Sequence, residues 1–346
     1  MVPFMSTTEG RPQRGQRVTI REVAEAAGVS VATVSKVLND RYGVAGATSA
    51  RVRAVIEELG YESSLVARSL RNHRTNVIGI LVADFEPFST EVLMGAADAI
   101  RGTGFELVVY SAGGRVGEHI GWERRHLSRV SGTLVDGAVL VTPTVSDIVT
   151  SVPIVAIDPT EGPTGLPTID SDGRTGARLA TEHLLELGHR RIGMITGRAG
   201  LESARLREQG FRDAHAAAGI PLDETMFADG EYDPATAREA AHELLARADR
   251  PTAVFAASDL TALATMEVAA DLGLDVPRDL SIVGFDNIPD SAMCTPRLTT
   301  VEQPIREMGR LALELLVRQI REETLDEHHV RLPTRLLVRG STAPVA

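Results

Sequence analysis

The sequence predicts an α/β chain, with a small helix-turn-helix headpiece ahead of a body built on two parallel, doubly wound sheets. Three observations predict it. Residues 19–38 carry two short apolar-periodic helices around a glycine; strand-like apolar runs alternate with helical periodicity from about residue 76 to 340; and several of those runs end in an aspartate. At 346 residues the chain is too long for one ordinary domain and suits a small module on a larger two-part body.

The first 16 residues mix Pro, Gly, Thr, Gln and Arg without the apolar core of a signal peptide, and are expected to be a disordered tail. The headpiece is expected over 17–62. Ile20, Val23, Ala24 and Ala27 recur at i, i+3, i+4, i+7, and Thr19 with Glu22 forms a capping box. Gly28 permits the turn, and Ser30 caps a second helix that buries Val34, Val37 and Leu38. The opposite face of that second helix shows Ala32, Thr33, Ser35, Lys36 and Asn39. These groups are small enough to approach base edges and polar enough to bond them, which suits a major groove. A third helix is expected from a cap at Thr48 or Ser49, through Val52, Val55, Ile56 and Leu59, to Gly60. Residues 63–75 read as a hinge and linker, in which 64–71 offer only about two helical turns, too few to be stable alone.

Charge supports the division. The chain carries −11 overall, yet residues 1–75 hold 11 Lys and Arg against 7 Asp and Glu, whereas the remainder holds 25 against 40. A basic end on an acidic body fits contact with phosphates through one module. The single cysteine, Cys294, excludes a disulfide framework within the chain and reads as a small buried hydrophobe. No run approaches the roughly 20 apolar residues of a membrane span, so a cytoplasmic, nucleoid-associated protein is expected.

In the body, strand Val77–Ala83 precedes a helix from about Ser89 to Arg101, and strand Glu106–Tyr110 precedes a helix around 118–131. Ala138–Val141 and Pro153–Ile157 read as buried strands, then 168–174 as a linker into a helix Thr175–Leu187. Further strands are expected at Arg191–Thr196, Met226–Ala228, Ala253–Ala257, Leu280–Phe285 and Leu332–Val338. The intervening helices are Ser203–Ala218, Ala235–Ala248, Leu260–Leu272 and Ile305–Ile320. In such sheets ligands bind at the carboxyl ends of strands, and here those ends carry Asp84, Asp158, Ser258 with Asp259, and Asp286. One Asp caps a helix as readily as it binds a ligand; the recurrence points to a polyol-like pocket.

The chain resembles the lactose-repressor (LacI/GalR) family of bacterial transcription regulators. The resemblance rests on Val18–Ser30, Ala32–Asn39, Gly60-Tyr61 and Val66–Leu70, and runs through the body to about residue 340. It implies a two-lobed, periplasmic-binding-protein-like body over 76–340, with a first lobe of about 76–170 and 297–328 and a second of about 171–296 and 329–340. It implies that Ser30, Val31, Ala32, Thr33, Ser35, Lys36 and Asn39 belong to a DNA-reading helix, with Val31 and Ala32 setting base preference. Ile20, Arg21, Thr48 and Tyr61 would support or contact the DNA backbone. Residues 64–71 match a hinge helix, with Ala67 facing the minor groove beside Arg68 and Leu70 as the wedge. Ser49 departs from the arginine common in the family.

For a small effector, the resemblance implies contacts from Asp286, in Val283–Asn287, and from Arg207, in Ser203–Phe211. Ser258 stands where sugar-responding members often have Asn. Asp84–Glu91 resembles the first-lobe ligand loop, one residue short, so Phe85 or Phe88 would stack on the ligand; Asp158 is a further candidate. The reading is therefore a ligand-responsive repressor, binding a pseudo-palindromic operator as a homodimer and responding to a sugar or oligosaccharide. A purine or phosphocarrier co-repressor is the lesser option. The alternative class is a solute-binding protein with the same two-lobed fold. Gly102-Thr-Gly-Phe105 lacks a third glycine, no Gly-Lys-Ser/Thr loop occurs, and the nine histidines are scattered. No enzyme activity, cofactor or metal is expected.

Overall fold

In the computed structural model the described residues are 18–38, 42–61, 74–113, 120–145, 147–163, 165–325 and 327–345. The expected tail, Asn39, and the hinge residues Ala67, Arg68 and Leu70 lie outside them. The chain divides into two compact units, Met1–His73 and Arg74–Ala346.

The first unit holds α1 (Ile20–Ala26), α2 (Val31–Leu38) and α3 (Gly46–Leu59). Thr19 accepts from the Glu22 amide while the Glu22 carboxylate takes the Thr19 amide, the reciprocal cap the spacing implies. Gly28 sits at φ 62° and Gly60 at φ 62°, the left-handed region where a side chain would be strained. Val23, Ala24, Ala27, Val34, Val37 and Val52 form one core that welds the three helices. Helix α3 starts earlier than expected: Ala45 is its N-cap and makes no side-chain cap, and the Thr48 and Ser49 amides both donate to the Ala45 carbonyl. Those two hydroxyl residues therefore lie inside the first turn instead of before it.

Among the described residues the second unit contains two six-stranded sheets. The first sheet comprises β1 (Val77–Val82), β2 (Glu106–Ser111), β3 (Gly137–Val141), β4 (Ile154–Ile157), β5 (Thr168–Ser171) and β11 (His329–Leu332). Its order is β11-β5-β4-β3-β1-β2, with every pair parallel. The second comprises β6 (Ile192–Thr196), β7 (Phe227–Asp229), β8 (Ala253–Ala256), β9 (Ser281–Asp286), β10 (Thr299–Glu302) and β12 (Arg335–Leu337). Its order is β12-β10-β9-β8-β6-β7, and only β12 runs antiparallel to its neighbour. Strands β1, β3, β4, β8 and β9 are buried along their whole length, as parallel strands covered on both faces must be.

Helices cover both faces of each sheet. On the first, α4 (Pro87–Ala99) and α11 (Ile305–Ile320) bury Val92, Ala96, Met308 and Leu313 against β1 and β3, while Trp122 and Leu127 of α5 (Trp122–Val130) cover the other side. Helices α4 and α11 cross at two glycines: a Cβ on Gly95 would stand 1.9 Å from the Arg306 carbonyl oxygen, and one on Gly309 2.1 Å from that of Val92. On the second sheet, α6 (Gly173–Glu186) and α7 (Glu202–Ala218) pack around Phe211 and Phe255, and α8 (Pro234–Leu245) and α9 (Asp259–Asp271) cover the opposite face. A short α10 (Pro289–Met293) follows β9.

Three expectations are corrected. Residues 168–171 form strand β5 instead of a linker, because Asp170 is paired in the sheet with Arg331 and hydrogen-bonded to His329 of β11, at 2.8 and 2.9 Å. The expected strand Leu332–Val338 is two short strands on different sheets. The lobe boundaries expected at 296/297 and 328/329 also move, since β10 belongs to the second sheet and β11 to the first. The chain thus crosses between sheets near Asp172, between Glu302 and Ile305, and between Leu332 and Arg335.

Candidate functional site

In the first unit, α2 presents Val31, Ala32 and Lys36 to solvent beside Ser30, with Thr33 and Ser35 half-buried at the edge of that face. Ser30 caps the helix, its hydroxyl accepting from the Thr33 amide at 3.1 Å and lying 2.9 Å from Thr33 Oγ1. Arg21 is exposed, while Ile20, Thr48 and Tyr61 are half-buried, Ile20 and Tyr61 against the three-helix core. A small-residue face on a helix held rigidly from behind has the shape and donors to enter a DNA groove.

In the second unit a cavity of about 260 Å³ lies between the two sheets, at the carboxyl ends of their strands. From the first sheet it takes Asp84 beyond β1, Glu86 and Phe88 at the start of α4, Thr142 after β3, and Asp158 after β4. From the second come Arg198 after β6, Glu231 and Tyr232 after β7, Ser258 after β8, Asp286 at the end of β9, and Arg207 from α7. Asp84, Phe88, Asp158, Arg207, Ser258 and Asp286 are therefore brought together. Phe85 is not: it is 58% exposed and does not line the cavity, whereas Phe88, the second residue of α4, packs back on the first-sheet core.

Arg207 is the hub. Its Nη1 donates to the Ala257 carbonyl, and Nη2 stands 3.3 Å from Asp286 Oδ1. The guanidinium lies 3.9 Å from the Phe285 ring centroid and 5.3 Å from that of Tyr232. Among the described residues its Nε is buried without a hydrogen-bond partner and so has bonding capacity to spare at the cavity, while the buried Tyr232 hydroxyl lies beside Ser203. Tyr232 reaches this place because Gly197 lies beneath it; a Cβ there would fall 2.1 Å from the ring.

Asp286 is also tied to the crossings between lobes. Gln303 Nε2 donates to Asp286 Oδ1 at 2.6 Å, and Ser171 Oγ donates to Gln303 Oε1 at 2.5 Å. Thr334 Oγ1 in turn donates to the Asp172 carbonyl at 2.9 Å, so side chains stitch all three crossings. Ser258 caps α9 through a reciprocal bond with Thr261, and Asp259 turns away to accept from the Ile288 amide at 2.9 Å and from Thr300 at 2.5 Å.

Burial sets the protonation of the acids. Loss of solvation pushes Asp158 up to about 7, opposed by Arg207 and reinforced by Asp170 and Asp286. The same cause raises Asp286, against Arg207 and Gln303, and raises Glu86 against its bonds to Ser89. Backbone strain gathers here as well. Thr142, Asp158, Glu231, Tyr232 and Asp286 have φ of 49°, 46°, 55°, 56° and 119°, a region that costs a non-glycine residue about 1–3 kcal/mol. Five such residues around one cavity mark loops shaped for something other than stability.

Sequence reasoning missed Glu86, Thr142, Arg198, Ser203, Glu231, Tyr232 and the positioning residue Gln303. Tyr232 was within reach of the strand-end rule, since it follows the short β7.

Comparison with known proteins adds the family. The model for bacterial regulatory proteins of the lacI family matches residues 19–64, and that for a periplasmic binding protein-like domain matches 181–342. A ribose operon repressor of Halalkalibacterium halodurans is 37% identical over 328 residues, covering 94% of this chain and 97% of the relative. The lac repressor dimer bound to operator and the anti-inducer ONPF has a TM-score of 0.83 at 27% identity, over 95% of this chain and all of that one. A complex of the transcriptional regulator CelR with cellobiose has a TM-score of 0.70 at 35% identity, over 94% of this chain and all of that one.

Proposed function

Because this chain belongs to the lacI family of bacterial regulatory proteins, we propose that the cavity between its two sheets holds a sugar or short oligosaccharide and that the exposed face of α2 reads an operator. The protein is a ligand-responsive transcriptional repressor that binds operator DNA as a dimer. Its relatives are repressors, not enzymes. No helix among the described residues is long and apolar enough to cross a membrane.

The observation that carries the ligand reading is the Arg207–Asp286 pair, buried at the strand ends with Arg207 Nε without a partner among the described residues and the Tyr232 hydroxyl beside it. Carboxylates accept from vicinal hydroxyls, a guanidinium donates to them, and Phe88 supplies a flat apolar wall; together they suit a polyhydroxyl ring. On the DNA, Val31 and Ala32 offer methyl groups, so base preference would come from thymine methyls and shape more than from bidentate bonds. Ser30, Thr33, Ser35, Lys36, Arg21, Thr48 and Tyr61 would position the helix on phosphates, with Ile20 supporting it and Asn39 at its end. Ala67, Arg68 and the wedge Leu70 belong to residues 64–71, through which we take ligand occupancy to be conveyed to the operator. A coupling of about 1–3 kcal/mol changes operator affinity from several-fold to about a hundredfold.

The test is an electrophoretic shift with DNA from upstream of the chain's own gene, with and without a panel of sugars. Asp286→Asn is expected to keep DNA binding and lose the response to sugar. Retardation that no sugar changes in the wild type would overturn the ligand reading, and absence of any retardation would revive the solute-binding alternative.

A further inference from the structure

We propose that the cavity takes an uncharged polyhydroxyl ligand and rejects the phosphate ester of the same sugar. This rests on the sugar reading above and sharpens it. Six acids line the cavity, Asp84, Glu86, Asp158, Glu231, Asp233 and Asp286, against two cations, Arg198 and Arg207. Each cation is paired with an acid of the lining: Arg198 Nε donates to Glu231 at 3.1 Å, and Arg207 stands 3.3 Å from Asp286, with its Nε alone left open to a ligand. Those two pairs leave the lining with more carboxylates than cations, Asp84, Glu86 and Asp158 among them.

The second argument concerns helix N-termini, the usual seat of a phosphate, where free amides and the helix dipole favour an anion. Four helices start at this cavity, and each start already carries a negative charge or a cap of its own. In α4, Glu86 accepts from the Phe88 and Ser89 amides at 2.6 and 2.7 Å. In α8, Asp233 accepts from the Thr236 amide at 2.9 Å. In α9, Ser258 caps through Thr261 with Asp259 in the first turn. Helix α7 has no side-chain cap at Leu201, but its first turn holds Glu202, and the Glu202 amide donates to the Thr160 carbonyl at 2.9 Å. The positions where a phosphate would dock are filled by the chain's own carboxylates at α4 and α8 and by the Ser258 hydroxyl at α9, and at α7 the first amide is already bonded to a carbonyl. A sugar hydroxyl meets the opposite situation, since every one of these acids accepts a hydrogen bond.

The selection is thus made by repulsion as much as by attraction. One like-charge pair about 6 Å apart in a partly screened site weakens binding on the order of a hundredfold. The experiment uses the full chain at pH 8, where Asp158 is ionised, with thermal shift followed by calorimetry. The probes are D-ribose, D-glucose, D-galactose and cellobiose, set against D-ribose 5-phosphate, D-glucose 6-phosphate, AMP and inorganic phosphate. The expected result is that at least one neutral sugar binds and its phosphate ester binds at least about a hundredfold more weakly. An Asp84→Asn, Asp158→Asn double variant is expected to narrow that ratio at least tenfold; an unchanged ratio would refute the electrostatic cause. Binding of an ester, AMP or inorganic phosphate as tightly as the neutral sugars overturns the inference and leaves an effector site standing. Silence from every probe, neutral and phosphorylated, sinks the sugar reading itself and this inference with it.

Discussion

The two walls of the cavity are built differently. The second-sheet wall is bonded to itself: Arg207 to Ala257 and Asp286, Asp286 to Gln303, Arg198 to Glu231, Ser258 to Thr261. The first-sheet wall has little of this. Asp84 accepts from its own neighbour's amide, on Phe85, at 2.7 Å; Glu86 caps α4; and Asp158 sits desolvated among Arg207, Asp170 and Asp286. The second-sheet wall is fixed by paired side chains and keeps Arg207 Nε open among the described residues, and the first-sheet wall carries acids that bond only within their own loop or sit desolvated. A wall fixed beforehand costs little reorganisation on binding, so ordering on ligand binding is expected on the first-sheet side.

This contrast is broken most severely at Arg207. Arg207→Met leaves Asp286 buried beside an apolar chain, and loss of a buried partner typically costs about 3–5 kcal/mol. Thermal or urea unfolding of the variant should show a loss of that size, and a loss under 1 kcal/mol would mean the wall is not held by this pair. Asp158 comes next. Its pKa is about 7 when folded, above the ordinary 3.8, so the folded state retains a proton that the unfolded chain releases. Its stabilising contribution is full below pH 3.8 and falls as pH rises to about 7. Between pH 5 and 8 the wild type should therefore lose stability relative to Asp158→Asn, with the difference levelling above pH 7; parallel profiles would contradict the assignment.

Smaller effects sharpen the comparison. Gln303→Leu removes the bridge from Ser171 to Asp286; Asp286 keeps Arg207, and the buried Ser171 hydroxyl left unpaired costs about 1–3 kcal/mol. Urea midpoints measure that loss, and sugar affinity should weaken with it while DNA retardation persists. Least of all, Phe88→Leu should reduce sugar affinity by about 0.5–1.5 kcal/mol, the range of an aromatic contact beyond its area. Phe85→Ala, at an exposed side chain, should leave affinity and stability within about 0.5 kcal/mol. Calorimetry that reversed these two would return the stacking role to Phe85.

What the sequence made legible follows from what is local. The capping box at Thr19, the turn at Gly28 and the helix Ile305–Ile320 are written in contiguous residues, as are the buried runs ending in Asp84, Asp158 and Asp286. What it hid depends on distant partners. Thr168–Ser171 looks polar and loop-like until Arg331 and His329 arrive beside Asp170. Strands β10, β11 and β12 are three or four residues long, and nothing local says which sheet takes which, so the crossings were misplaced by a few residues. Gln303 lies in Thr299–Gly309, a stretch that resembles the family's crossing back to the first lobe, but nothing local singles it out; its role exists because Ser171 and Asp286 converge on it. Tyr232 lies three residues beyond the short strand Phe227–Asp229, within reach of the strand-end rule but outside the run that carries it.

The most direct test of the two-wall account is hydrogen exchange on the whole chain with and without a sugar that alters operator retardation. The account predicts that amides around 84–88, 142 and 158 gain protection when ligand binds, while those around 207, 258 and 286 are protected already and change little. Equal gains on both walls, or gains confined to the second-sheet residues, would contradict it.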